Sequence, residues 1–137
     1  MTAEDKLQGL VSSLALVDDL QERLALVVDS ARQFPALPPE SRTEANRVPG
    51  CVSVVWLAGE VREGCCQFRC AADSPLVRGL MSTLCDFFSG LTPAQVAACE
   101  LDPLEALGLL RNLSPTRRNG LESARRAIRA FARRAAP

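Results

Sequence analysis

Arg47-Val48-Pro49-Gly50-Cys51-Val52-Ser53-Val54-Val55-Trp56-Leu57-Ala58 is rich in β-branched residues, and Cys65-Cys66-Gln67-Phe68-Arg69-Cys70-Ala71-Ala72 follows it after a polar break at Glu60, Arg62, Glu63 and Gly64. Two strand-like runs separated by such a break read as a β-hairpin. Side chains alternate across a strand, so Val52, Val54, Trp56 and Ala58 share one face, and Ser53, Val55 and Leu57 the other. By the same rule Cys66, Phe68 and Cys70 oppose Cys65, Gln67 and Arg69. The short stretch Asn46 to Val48 is expected to add a third strand.

Outward from the hairpin the chain is helical. Upstream, Leu7, Leu10, Val11 and Leu14 recur at helical spacing behind the capping candidate Thr2. Asp18 is the expected cap of a second helix with the stripe Leu20, Leu24, Val27, Val28 and Ala31, and Pro35 closes it because its ring cannot continue the hydrogen-bond ladder. Downstream, Ser74-Pro75, Thr92-Pro93, Asp102-Pro103 and Ser114-Pro115 each place a capping side chain before a proline. Proline suits the first helical position, where its missing N–H would have no partner anyway, so four helix starts are predicted. Val77, Leu80, Met81, Leu84 and Phe88 form the buried stripe of the central helix, and Leu121, Ala124, Ile128 and Phe131 that of the last. The fold class is therefore α+β: a small three-stranded antiparallel sheet with helices packed on one face.

At 137 residues, 47% hydrophobic, residues 1–137 read as one domain around one core. No apolar run approaches the roughly 20 residues that cross a bilayer, and the first residues carry acids without an apolar signal segment, so no membrane association and a cytoplasmic location are expected. Six cysteines without an export signal read as free thiols rather than a disulfide framework. The absence of histidine removes Ser-His and Cys-His nucleophiles and every zinc set that needs an imidazole. From Leu113 onward there are seven arginines and one glutamate, on a chain whose formal net charge is zero.

Cys51 follows Val48-Pro49-Gly50 directly. Proline fixes its own φ and glycine tolerates positive φ, which suits a tight tip that presents a thiol to a partner. The local pattern alone is equally satisfied by a small apolar residue at a strand start. The stretch from Asn46 to Leu57 resembles the signature of the SufE/CsdE sulfur-acceptor family, in which Gly-Cys-x-Ser-x-Val-Trp carries the acceptor cysteine. Further blocks match in order. Phe34-Pro35 and Leu37 stand at the family's distance before the cysteine, and Ala72-Asp73 with Leu76 to Leu80 resembles the start of its central helix. Leu91-Thr92-Pro93 is similar to the next loop, and Leu113-Ser114-Pro115-Thr116-Arg117-Arg118-Asn119-Gly120-Leu121 resembles the family's Leu-Thr-Pro-Ser-Arg-x-x-Gly-Leu block.

The resemblance implies a sheet-and-helix fold similar to that of the IscU scaffold proteins. It also implies a role: Cys51 takes persulfide sulfur from a pyridoxal-phosphate cysteine desulfurase of the SufS or CsdA kind, stimulates that enzyme, and delivers the sulfur to an iron–sulfur scaffold. A carrier of this kind is not a free-standing enzyme and holds no cofactor of its own. Such exchange needs a thiolate, an electrophilic sulfur and access, so the missing histidine is no obstacle. A thiol packed against apolar neighbours stays protonated until a partner draws it out.

Arg117 matches the arginine of the family block and reads either as a contact for the partner or persulfide, or as a solvated arginine at a helix start. Asp73 matches a family acid before the central helix, where an acid is favourable to the helix in any case. Gly50 shapes the tip. Val52 and Val54 stand where the family pattern leads one to expect polar side chains. With Trp56 they form an apolar strip beside Cys51, expected to dock a partner or a second copy of the chain in a weak homodimer. The competing account covers that strip with the loop from Pro35 to Glu44. Cys65, Cys66 and Cys70 lack the Cys-x-x-Cys spacing of a zinc ribbon, and no metal site is expected. An iron–sulfur or zinc scaffold is the second reading. A nucleic-acid module, suggested by the arginine-rich end, is the third: Arg125, Arg126, Arg129 and Arg133 lie off the apolar stripe, as a solvated face should, and few aromatics are available for stacking.

Overall fold

The computed structural model describes residues 1–51 and 53–137; Val52, and with it one residue of the expected docking strip, lies outside the described residues. Glu63 and Gly64 take φ of 53° and 79°, the two consecutive positive values of a tight hairpin turn whose twist matches that of its strands. This turn joins β1 (Val55–Arg62) to β2 (Cys65–Ala72) in antiparallel register, from Arg62 opposite Cys65 to Val55 opposite Ala72. Glu60 and Arg62, expected in the turn, belong to β1 and form an exposed ion pair at 2.7 Å.

Among the described residues the sheet has two strands, not the three expected. Arg47 makes only an isolated bridge to Trp56, and the Val48 N–H donates to the Val55 carbonyl at 2.9 Å. The pairing cannot grow. A 3₁₀ turn at Glu44–Asn46 ends the extended stretch on one side, and Pro49, with no N–H to donate, ends it on the other. The outer edge of β2 is closed by irregular chain: the Cys66 N–H donates to the Leu91 carbonyl at 2.8 Å, the Phe68 N–H to Ser89 Oγ at 2.9 Å, and the Leu37 N–H to the Cys70 carbonyl at 3.0 Å. Edge groups are thereby satisfied without a further strand.

Every helix start downstream of the hairpin lies where the Ser/Thr/Asp-Pro pairs put it. Ser74 caps α3 (Pro75–Phe88), Thr92 caps α4 (Pro93–Ala98), Asp102 caps α5 (Pro103–Ala106), and Ser114 caps α6 (Pro115–Ala135). Upstream, Thr2 and Asp5 form a reciprocal capping box on α1 (Ala3–Leu14), whereas α2 (Leu20–Ala31) is capped by Asp19 rather than Asp18. That helix also ends short of Pro35. Val11, assigned to the apolar stripe of α1, is exposed.

Val55, Leu57, Cys66, Phe68 and Cys70 turn one face of the hairpin toward the helices, where Phe68 meets Phe131 of α6 edge-on at 5.5 Å. Helix α3 is the centre of the packing. Beyond its expected stripe, Ser82, Cys85 and Phe87 are also buried, because α2 packs on one side of it and β2 on another. A helix enclosed this way loses the one-sided pattern of a surface helix.

Candidate functional site

Gly50 adopts φ of +80°, a left-handed conformation that favours glycine, and so turns the chain sharply between the buried Val48 and Cys51. Cys51 is half-buried at this tip. Ser114, by capping α6, sets the phase of its first turns. Arg117, Gly120 and Leu121, spaced at i, i+3 and i+4, then face the same way. Gly120 receives the thiol: a Cβ at that position would stand 2.5 Å from Cys51 Sγ and 3.2 Å from its Cα. Only glycine lets the helix and the tip approach so closely.

Beside this contact is a cavity of about 20 Å³, lined by Cys51, Ser53, Val77, Leu80, Met81, Arg117 and Leu121. That is room for about one water-sized group. Burial pushes the Cys51 thiol above its ordinary value of 9.0, so the resting group is protonated at neutral pH. The sign follows. A raised thiol contributes stability that is complete below its unfolded value and is lost as pH rises through the folded one. Alkylation of Cys51 in the native protein is therefore expected to lag the denatured chain at pH 7 to 9 and to keep rising with pH above 9.0, where the denatured chain levels off, as rates against iodoacetamide across pH will show.

Gly120→Ala is a second test of the contact. Alanine is favoured over glycine inside a helix by about 1 kcal/mol, but a Cβ at 2.5 Å from sulfur has no room. The thiol end can rotate, so it is the part that yields and turns out to solvent. Several-fold faster Cys51 alkylation at neutral pH is expected, with little gain in melting temperature; an unchanged rate would mean that the helix moves instead.

The residues singled out in the sequence are only partly brought together. Cys51 and Arg117 line one cavity, with Gly50 adjoining. Asp73 does not share it: it is exposed just before the α3 cap, its N–H donating to the Val54 carbonyl at 3.3 Å, and it lines a separate groove with Arg32 and Arg78. Val54 lies just ahead of β1 and Trp56 within it; both are half-buried. Part of the Pro35 to Glu44 segment, with Leu37, Pro38 and Ser41, lies along the outer face beside Ala58 and Gln67. Cys65 is half-buried and Cys66 buried, as adjacent strand positions require, and Cys99 is buried just past α4 rather than within it. Among the described residues no three His, Cys, Asp or Glu side chains are grouped to hold a metal ion. Gly120, Ser53 and the α3 residues of the cavity were not singled out. Gly120 had one signal, its place in the block containing Arg117.

The Fe–S metabolism associated domain known as SufE matches residues 8–132. The chain belongs to the SufE family. An uncharacterized SufE-like protein of Rhizobium meliloti is 32% identical over 131 residues, covering 92% of this chain and 94% of that protein. A second, from Rhizobium etli, is 33% identical over 128 residues, covering 90% and 86%. The solution structure of a hypothetical protein from Thermus thermophilus superposes with a TM-score of 0.76 at 22% identity, over 95% of each chain, and shares the fold. Family membership ties the chain to iron–sulfur metabolism. No helix among the described residues is long and apolar enough to cross a membrane.

Proposed function

We propose that this SufE-family chain is a cytoplasmic sulfur carrier that accepts persulfide sulfur on Cys51 from a pyridoxal-phosphate cysteine desulfurase, stimulates that enzyme and passes the sulfur to an iron–sulfur scaffold. The observation that carries the reading is the placing of the Cys51 thiol: at a glycine-built tip, against Gly120, beside a cavity with room for about one further atom. At rest the thiol is protonated and packed, which limits reaction with oxidants. Once a partner draws the tip outward, the proton leaves to solvent and the Cys51 thiolate attacks the outer sulfur of the desulfurase persulfide. A new S–S bond forms on Cys51 as the old one breaks, and the desulfurase cysteine departs as thiolate; no net oxidation occurs. Val54 and Trp56, half-buried near the tip, are part of the proposed docking strip.

Incubation with a cysteine desulfurase and cysteine tests the reading. Intact mass should rise by one sulfur per chain, reversed by a thiol reductant, and peptide mapping should place it on Cys51. A chain of unchanged mass beside an active desulfurase would refute it.

Arg117 is proposed to meet the partner or the incoming persulfide, since it is exposed yet lines the cavity. Arg117→Ala is expected to leave the melting temperature level or slightly higher, because a cation in the first turn of a helix opposes the helix dipole. Stimulation of the desulfurase should fall. Equal stimulation by variant and wild type would make this a solvated arginine.

A further inference from the structure

On a different face of α3 from the Cys51 cavity, two further thiols meet. Cys70 of β2 and Cys85 of α3 are 5% and 4% exposed, and each is a free cysteine. Cys70 Sγ lies 3.7 Å from Ser82 Oγ, and Ser82 stands three residues before Cys85 on the same helix, which makes the two thiols neighbours on one wall. Both line a cavity of about 210 Å³ that shares no lining residue with the Cys51 cavity. Exposed Phe34, Glu60, Arg62 and Arg69 stand at its rim, so it opens to solvent, and its volume far exceeds what one small molecule needs. Sulfur transfer at Cys51 uses neither thiol.

The pair is also chemically unequal. Interaction with Cys85 pulls Cys70 below the ordinary thiol value against its burial, with help from Ser82 and Arg78, while interaction with Cys70 and burial push Cys85 well up. One sulfur is thus suited to attack and the other to hold the proton.

We propose that Cys70 and Cys85 are a redox-active thiol pair that closes to a disulfide when a hydroperoxide enters this cavity. The Cys70 thiolate attacks a peroxide oxygen, the O–O bond breaks, and Cys70 becomes a sulfenic acid as hydroxide leaves. The Cys85 sulfur then attacks the Cys70 sulfur; the S–O bond breaks, and the Cys85 proton leaves with the hydroxyl as water. Two thiols are oxidised to one disulfide and the hydroperoxide is reduced, with hydrogen peroxide giving two waters in all. The bond would tie β2 to α3.

Hydrogen peroxide titration of the wild-type and Cys51→Ser proteins, read by intact mass and non-reducing peptide mapping, tests this. Both proteins should lose the mass of two hydrogen atoms through a link between the Cys70 and Cys85 peptides, reversed by dithiothreitol. Cys85→Ser should abolish the link and leave a Cys70 sulfenic acid that a cyclic 1,3-dione captures. Should that variant not fold, the wild-type map decides alone. The proposal is overturned if both thiols stay reduced after Cys51 is fully oxidised, if they carry separate oxygen additions with no link, or if either joins another cysteine.

Discussion

Cys51→Ser is expected to carry no sulfur after incubation with a cysteine desulfurase and labelled cysteine, under conditions in which the wild type takes up one sulfur per chain. Serine keeps the size of the side chain, so the tip, the turn at Gly50 and the approach to Gly120 remain, and the melting temperature should hold. What is lost is the thiolate that attacks the persulfide sulfur. The other thiols are out of reach of a persulfide carried on a partner protein. Cys66, Cys70, Cys85 and Cys99 are buried, and Cys65 stands at the hairpin turn, outside the cavity of Cys51. Label retained on the variant, traced by peptide mapping to a second cysteine, would sink the assignment of Cys51.

The largest stability loss is expected from Phe87→Ala. This ring is completely buried in α3 and stands edge-on to Phe88, with centroids 4.9 Å apart and planes at 89°. Truncating a buried phenylalanine costs about 3 to 5 kcal/mol, from lost transfer energy and the void left behind. Domains of this size are stable by only about 5 to 15 kcal/mol, so one substitution removes a large share of the total. Urea unfolding should show a midpoint well below wild type with a similar slope. Phe87 lies outside the wall of the Cys51 cavity, so alkylation of Cys51 in the folded fraction should keep its wild-type rate. A loss below 1 kcal/mol would mean that α3 is less central than its burial implies.

Ser74, Thr92, Asp102 and Ser114 were legible as helix starts because a cap bonds to a backbone N–H two or three residues along, and nothing distant takes part. Glu63-Gly64 was legible as the hairpin turn for a similar reason, falling within the polar break read between the strands. Asp18 and Asp19 were not separable, since adjacent acids satisfy the same local rule and packing picks the one in phase. The buried stripe of α3 was read correctly yet incompletely. Periodicity reports one face, and whether the opposite face is also covered depends on α2, which is remote in sequence.

By itself, then, the sequence determined the helix starts, the hairpin, the fold class at the level of α+β, the SufE family and Cys51 as the residue to watch. All of these are carried by short blocks whose meaning is local. Tertiary structure decided that Asn46 to Val48 would make a bridge and not a strand, because the Glu44–Asn46 turn and Pro49 leave no room for a ladder. It also decided what surrounds Cys51: Gly120 beneath the sulfur, Leu80 and Met81 from α3, Arg117 and Leu121 from α6. Those positions are up to 70 residues from the cysteine, and no period or spacing along a chain encodes which side chains meet when separate helices close on one loop.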